Sequence, residues 1–545
     1  MKKLILILFG LAAMGVAMAQ QQGNHWTPVG LEFNMTVNGI ILIDEEEQMS
    51  ATLEVGAFCG DECRGSRKAT YFGMTGQYVV PLQIQGNSNG EVITFRLYDH
   101  DTQQELDLRS INTLEFESNG RLGTPGNWYP FAFMTPVIPV GDYHFVTEGN
   151  WSEASNWIGG ALPGPGDEVF IDASCLLDRN AVVATLTVTE GQTLTLQSGR
   201  TLTVTGDLTN TLPAGLVIKD GAQLLHACEG VSATVKKNIT GYGYFKGKYY
   251  FISNPLMSSV NPETASVNHL TTGNYDLYYW LMDNPNELEW RNYKTSTFML
   301  SPDASAYLYA NRNGVELSFP GVLRPSLPYY SKPVSVIDGN EYHTGGWNLV
   351  GNPFVCNAYL VDEGGSSLPY YKMNADGNGI EAVTSGVIAP MQGVFYEATE
   401  NGYVHFTRTA PAKGVGSLEM SVNQGGEKVD NAIIRFDDGR MLTKFQTHEN
   451  SSALYIRHDG RDYAVVRADG AGEMPVCFKA EENGIYTLSF NSEHVEFSYL
   501  HLVDMLTGED IDLLTGTSTG SAAYSFEATT TDTLNRFKVV FVRAE

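Results

Sequence analysis

The chain has 545 residues, 43% hydrophobic, 11% aromatic and 18% charged; burying this much apolar surface repays the entropy of ordering, so disorder is excluded as its main state. Its 34 basic and 62 acidic residues leave a formal charge of −28, and such a surface repels phosphate, which argues against a nucleic-acid partner. Beyond the first nineteen residues, no apolar run reaches the roughly 18 residues that a membrane-spanning helix needs.

Residues 1–19 read as a secretory signal: Lys2 and Lys3, an apolar stretch over 4–16, and Ala17-Met18-Ala19 as a small-x-small cleavage motif before Gln20. The implied address is the cell surface or the extracellular space, with the periplasm as the alternative. Export permits disulfides. Cys59 and Cys63 flank the short Gly60-Asp61-Glu62 turn, and that spacing points to a local bridge. A zinc site would need two more ligands, and no His or Cys pair is spaced to supply them.

Four segments follow. Residues 20–139 carry alternating runs such as Val92-Ile93-Thr94-Phe95-Arg96-Leu97-Tyr98, separated by Gly and Asn clusters, and predict an N-terminal β-sandwich. Thr135-Pro136-Val137-Ile138-Pro139 reads as an extended linker, because two prolines deny it ladder hydrogen bonds. In residues 142–230, Leu186, Leu194 and Leu202 recur every eight residues, with Gly191 and Gly199 at the turns and threonines alternating with the apolar positions. That pattern fits a stacked β-helix or a plain meander.

Residues 231–412 hold an internal duplication. Phe251-Ile252-Ser253-Asn254-Pro255-Leu256 matches Leu349-Val350-Gly351-Asn352-Pro353-Phe354; Tyr278-Tyr279 then matches Tyr370-Tyr371, Leu308-Tyr309 matches Phe395-Tyr396, and Phe319 matches Phe406. The shared order divides the segment into 231–325 and 326–412. Residues 413–545 alternate as a C-terminal β-sandwich. The expected fold class is therefore all-β: several β-sandwich-like domains with a short β-helix- or solenoid-like segment.

Four stretches carry a family resemblance. They are Leu53-Glu54-Val55-Gly56-Ala57-Phe58-Cys59 with its following turn; Asn150-Trp151 and Asn156-Trp157 leading to Gly166-Asp167-Glu168-Val169-Phe170-Ile171; Gly346-Trp347-Asn348-Leu349-Val350-Gly351-Asn352-Pro353; and Tyr524-Ser525-Phe526-Glu527-Ala528 with Asn535-Arg536-Phe537. Together they resemble modules of the large surface and secreted proteins that Bacteroidetes export by type IX secretion. The resemblance implies a modular, mostly non-catalytic exported protein and supplies no catalytic residues.

The chemistry-bearing motifs are weak. Gly516-Thr517-Ser518-Thr519-Gly520 matches a serine-nucleophile pattern, but no His follows Ser518, and that motif needs one later in the chain. Asn374, Asp376 and Asn378, with Gly379, imitate the first half of a Ca²⁺ loop, while position 12 is Ser385 instead of an acid; ordinary turn chemistry explains the same residues. Tyr98-Asp99-His100-Asp101 reads as a metal or acid–base cluster, or as a hydrated turn. Residues 186–225 contain only Arg200 and Lys219 as bases, too few to hold the acidic substrate of a polysaccharide lyase.

Aromatic density between 242 and 309 is the strongest binding signal. Trp280 and Trp290 flank the polar Asp283-Asn284-Pro285-Asn286 loop and, with Tyr278 and Tyr279, are the candidate ligand platform; cross-strand core packing is the competing reading. The expected function is an exported non-enzymatic protein of the cell surface or matrix, adhesin-like or binding a glycan or a host or surface protein. The alternative is a polysaccharide-acting enzyme on the β-helix scaffold.

Overall fold

The computed structural model describes residues 24–545 except 61, 107, 135–140, 244–247, 282–289, 327–328, 338–344, 412–414, 446–450, 515–520 and 545. The expected signal, the 135–139 linker, the 283–286 loop and the motif at Ser518 lie outside these residues. The described chain is all-β, with a single four-residue α-helix at Ala265–Asn268, and no described helix is long and apolar enough to cross a membrane. It forms two compact units, residues 1–135 and 136–545.

The first unit is a two-sheet sandwich. Phe33–Ile43 pairs antiparallel with Gln77–Gly86 and parallel with Tyr129–Met134; Leu53–Cys59 lies between Glu62–Lys68 and Val92–Asp99 in the other sheet. Alternation turns Val37, Ile41, Leu82 and Ile84 inward from one sheet and Val55, Ala57, Phe95 and Leu97 from the other, and they share one core. Cys59 faces Glu62 and Cys63 faces Phe58 across the hairpin, so the two cysteines are not cross-strand partners, and both are free thiols. The expected bridge is not formed.

The second unit opens as a three-faced parallel β-helix. Leu186 stacks on Leu208, Leu194 on Leu216 and Leu202 on Leu224. The eight-residue spacing is thus a step from one face to the next, and stacked partners lie a full coil apart. Parallel pairing excludes the meander, since a meander's neighbours run antiparallel. The outward threonines fall on different faces: Thr187 stacks between Phe170 and Thr209, Thr195 between Leu176 and Val217, and Thr203 between Val182 and Leu225. They form no continuous ladder.

Buried Phe145, Trp151 and Trp157 close the first coil, with the two indoles edge to face at 4.8 Å and Trp157 Nε1 donating to the Trp151 carbonyl. At the other end Ser232–Ile239 pairs parallel with Leu216–Ile218 and antiparallel with Val315–Val322. The last rung of the coil is therefore also the first strand of the next sandwich, and one hydrophobic core runs through both. The boundaries expected at 230/231 and 325/326 fall within the second compact unit, and the one expected at 412/413 lies outside the described residues.

The duplication is visible in atomic detail. Each copy has a four-stranded sheet of the same order: Tyr250–Ser253, Ala306–Asn311, Tyr275–Trp280, Trp290–Asn292 in the first, and Trp347–Gly351, Gly393–Glu397, Tyr370–Met373, Ile380–Val383 in the second. Each is pinned by a buried asparagine that repeats the same bonds. Asn254 Nδ2 donates to the carbonyls of Ser258 and Leu300 while its Oδ1 accepts from Leu256 N; Asn352 Nδ2 donates to those of Cys356 and Ile388 while its Oδ1 accepts from Phe354 N. Register shows that the tyrosine match slips by one residue: Leu308 faces Tyr278 and the equivalent Phe395 faces Tyr371, so Tyr371 corresponds to Tyr278 and not to Tyr279.

The copies meet reciprocally, as the subunits of a twofold dimer do. Ser253 N donates to the Met391 carbonyl at 2.9 Å, and the equivalent Gly351 N donates to the equivalent Ala304 carbonyl at 2.7 Å. Ala304 and Met391 both hold left-handed backbone, at φ 57° and 59°, which aims each carbonyl across the joint at a local cost of roughly 1–2 kcal/mol. The approach is close. A Cβ at Gly351 would lie 2.4 Å from the Ser253 Cβ, and one at Gly393 2.4 Å from the Ala306 Cβ; each equivalent pair at the joint admits a side chain on one member only.

The C-terminal segment folds an 11-stranded sheet over its own core, where Leu500, Tyr486 and Phe526 meet. A buried Arg536–Asp504 pair, 2.9 Å apart, ties two of its strands.

The joint makes a direct prediction. Gly351→Ala lowers stability by about 1–3 kcal/mol through overpacking, and adding Ser253→Gly recovers much of that loss. Thermal unfolding of the two single variants and the double variant measures it, and simple additivity contradicts the reciprocal joint.

Candidate functional site

Strand alternation puts Asp276, Tyr278 and Trp280 on one face of the Tyr275–Trp280 strand and Tyr275, Leu277 and Tyr279 on the other. The two tryptophans are half-buried and pack on each other. Trp280 and Trp290 meet edge to face at 5.0 Å and pack on Phe395, and Trp280 Nε1 donates to the Trp347 carbonyl at 2.7 Å. Phe445, from the C-terminal segment, completes an aromatic box with Trp280, Trp347, Tyr371 and Phe395. Tyr279 packs inward against Phe298. Both indoles are half-buried: Trp280 lies against Phe395 and Phe445, and Trp290 against Trp280, Tyr278 and Phe395. Of the four candidates, Tyr278 lies in electrostatic reach of Asp276 and Lys294, with its hydroxyl pushed up by burial.

At the end of the same hairpin an open cleft of about 380 Å³ is lined by Tyr242, Gly243, Asn274, Tyr275, Asp276, Lys294 and Arg312. Lys294 Nζ pairs with Asp276 Oδ1 at 3.0 Å and lies 4.9 Å from the Tyr275 ring centroid. Arg312 is held at the rim: its backbone N donates to the Asn274 carbonyl and its Nε to the Gly243 carbonyl at 3.2 Å. Tyr249, raised by burial, adds a further phenol near Asp276, Tyr242 and Tyr278. The cleft thus combines phenol rings, an amide, a carboxylate and two cations.

The duplicated copy serves as an internal control. In register, Tyr275, Asp276, Lys294 and Arg312 correspond to Leu368, Pro369, Thr384 and Thr399. The same sheet forms there without any of the three charges. The fold does not require the cleft's chemistry, which points to a role outside folding. Sequence reading registered the aromatic density here but missed Asn274, Asp276, Lys294 and Arg312, which form no motif; aligning the two copies and asking where charge differs would have found the last three.

The other candidates resolve as local structure. Asn374 Oδ1 accepts from the backbone N–H groups of Asn378 and Gly379, and its Nδ2 donates to Asn378 Oδ1 at 2.8 Å, so the Ca²⁺-like loop, with exposed Asp376, satisfies itself as the turn between Tyr370–Met373 and Ile380–Val383. Among the described residues no three His, Cys, Asp or Glu side chains gather as a metal site.

Asp99 accepts from Asp101 N and Thr102 Oγ1 and makes a plain turn, but His100 turns inward. Its Nε2 meets the carboxylate of Glu54, which is fully buried and also takes Ser66 Oγ and the backbone N–H groups of His25 and Trp26. Trp26 lies over Gly56, where an added Cβ would come within 2.6 Å of its ring. Glu54 is thus a pin for the segment at 24–26; its one sequence signal is an acid inside the apolar run from Leu53 to Phe58.

A family model described as a domain of unknown function (DUF8693) matches residues 143–362. That span, under half of the chain, covers the β-helix, the first copy with its cleft and the start of the second copy. No curated protein and no solved structure matches the chain.

Burial pushes the Glu54 carboxyl up, but the hydrogen bonds from Ser66, His25 and His100 outweigh it and hold the group below its ordinary 4.5. The pin therefore contributes fully above that value and is lost as pH falls through the lower folded value. Amide exchange at His25 and Trp26, corrected for intrinsic rates, loses protection as pH drops below 4.5, and Glu54→Gln weakens that protection already at neutral pH. Unchanged protection in the variant contradicts the pin.

Proposed function

We propose that this is an exported, non-enzymatic binding protein of the cell surface or extracellular space, of the modular kind that Bacteroidetes secrete, and that it engages a glycan through the Asp276 cleft. One observation carries the reading: a charged, phenol-lined cleft in one copy of a duplicated sandwich whose other copy has Pro369, Thr384 and Thr399 at the three charged positions. Sugars offer hydroxyls and a flat C–H face. Asn274, Asp276, Lys294 and Arg312 supply acceptors and donors for the former, and Tyr242 and Tyr275 supply apolar ring surface for the latter. The continuous core beneath holds these groups in place, which limits the ordering cost of binding.

A glycoside hydrolase works with two carboxyl groups about 5–10 Å apart. Asp276 is the one carboxylate among the described lining residues, and it is committed to Lys294. That supports binding over hydrolysis at this site.

A glycan array of the protein beside a Tyr275→Ala, Asp276→Ala variant tests the proposal. Specific saccharides bound by the parent are expected to lose at least about tenfold in affinity, roughly 1.4 kcal/mol. Retained binding in a folded variant, or no saccharide bound by the folded parent, overturns it.

A further inference from the structure

We propose that Asn313 is a site of spontaneous self-modification: it loses ammonia to the backbone nitrogen of Gly314 and becomes aspartate or isoaspartate at the edge of the cleft. The reaction needs only water, and the inference stands apart from the glycan reading.

The Asn-Gly pair supplies the reacting atoms. Gly314 N forms a bond to Asn313 Cγ and the Cγ–Nδ2 bond breaks; the side-chain nitrogen leaves as ammonia, carrying the proton that Gly314 N gives up. Water then opens the resulting cyclic imide at either of its two ring C–N bonds. One opening yields aspartate, and the other yields isoaspartate, whose main chain runs through the former side chain. A glycine, having no Cβ, leaves the attacking nitrogen open to close approach.

The sequence contains seven Asn-Gly pairs, and the fold holds six of them. Gly39, after Asn38, is paired on both sides within its sheet. After Asn89 and Asn119, the N–H groups of Gly90 and Gly120 donate to the Phe116 and Glu117 carbonyls, each at 2.9 Å. Asn401 and Asn483 accept through Oδ1 from Val336 N and Thr530 N. Asn378 accepts from Asn374 Nδ2, and Gly379 N donates back to Asn374 Oδ1. These bonds hold a reacting group in place, and moving it breaks them.

The seventh pair is unrestrained. Asn313 and Gly314 are exposed in the bend between Ala306–Asn311 and Val315–Val322. Asn313 N donates to Asn311 Oδ1 at 3.0 Å, but neither the Asn313 side-chain amide nor the Gly314 N–H has a hydrogen-bond partner among the described residues. The preceding residue, Arg312, lines the cleft. Conversion therefore sets a carboxylate directly beside Arg312 or, as isoaspartate, lengthens the main chain that follows it.

The test is peptide mapping by mass spectrometry of the full protein aged in mildly alkaline buffer, beside a Gly314→Ala variant and a parent sample aged in denaturant. A Cβ at Gly314 meets only ordinary contacts, the nearest being the Ile239 carbonyl oxygen at 3.6 Å, so the variant keeps the bend. In the folded parent Asn313 is expected to convert about fivefold or more faster than the other six sites, the factor that one restraining hydrogen bond imposes. Gly314→Ala suppresses conversion at Asn313 and leaves the other sites unchanged, and in denaturant the seven rates converge. No conversion at Asn313, an equal rate at another Asn-Gly pair of the folded protein, or indifference to Gly314→Ala overturns the inference. The same ranking in denaturant also overturns it, because neighbouring residues and not the fold would then set the rates.

Discussion

The packing of Phe445 into the aromatic box holds residues 136–545 together as one body. Each copy of the duplicated sandwich buries one face of its four-stranded sheet in its own core, and the other faces still carry Phe251, Leu308, Leu349, Phe395 and three tryptophans, Trp280, Trp290 and Trp347. A sheet with two apolar faces must be covered twice. The C-terminal segment supplies the cover: Phe445 sits 4.6 Å from Trp347 and 5.2 Å from Phe395, Thr443 N and Oγ1 donate to half-buried Glu397, and Tyr371 Oη accepts from Phe445 N at 3.2 Å. The contact joins both copies to the last sandwich.

The same logic of covering exposed faces orders the rest of the unit. A parallel coil has two open ends, and stacked folds need a cap at each. Phe145, Trp151 and Trp157 cap the first; the first copy caps the second by sharing the strand Ser232–Ile239. The second copy then packs on the first through reciprocal backbone bonds, and the C-terminal sheet covers both. Each module thus covers an apolar face left by another, and a single compact unit results although the sequence punctuates it like separate domains.

How much of this the sequence disclosed depended on the range of the interaction. Period-two alternation is local, so the all-β class was legible. The leucine spacing was legible as a repeat, but whether a step leads along a meander or around a coil depends on pairing with residues a full turn away. The duplication could be read from Asn-Pro and aromatic landmarks, yet its one-residue slip at Tyr371 appears only in the pairing with Phe395, because adjacent tyrosines look alike in sequence and face opposite sides of a strand. Trp280 and Trp290 illustrate the limit most directly. Alternation tells which face they take, and nothing near them in the chain announces that Phe445 will cover that face. The cleft was half visible: its tyrosines stood out by density, whereas Lys294 and Arg312 look like any surface bases until the second copy, with Thr384 and Thr399 in their places, shows that the sheet forms without them.

The central claim is that the first copy's cleft exists for a ligand and not for the fold. Replacing Tyr275, Lys294 and Arg312 together by their counterparts from the second copy, as Tyr275→Leu, Lys294→Thr and Arg312→Thr, tests it by reading the unfolding midpoint and saccharide binding on one sample. The account predicts binding lost and the midpoint moved by less than the equivalent of about 1 kcal/mol, the usual worth of exposed charge pairs. A midpoint that falls well beyond that while binding survives would contradict it.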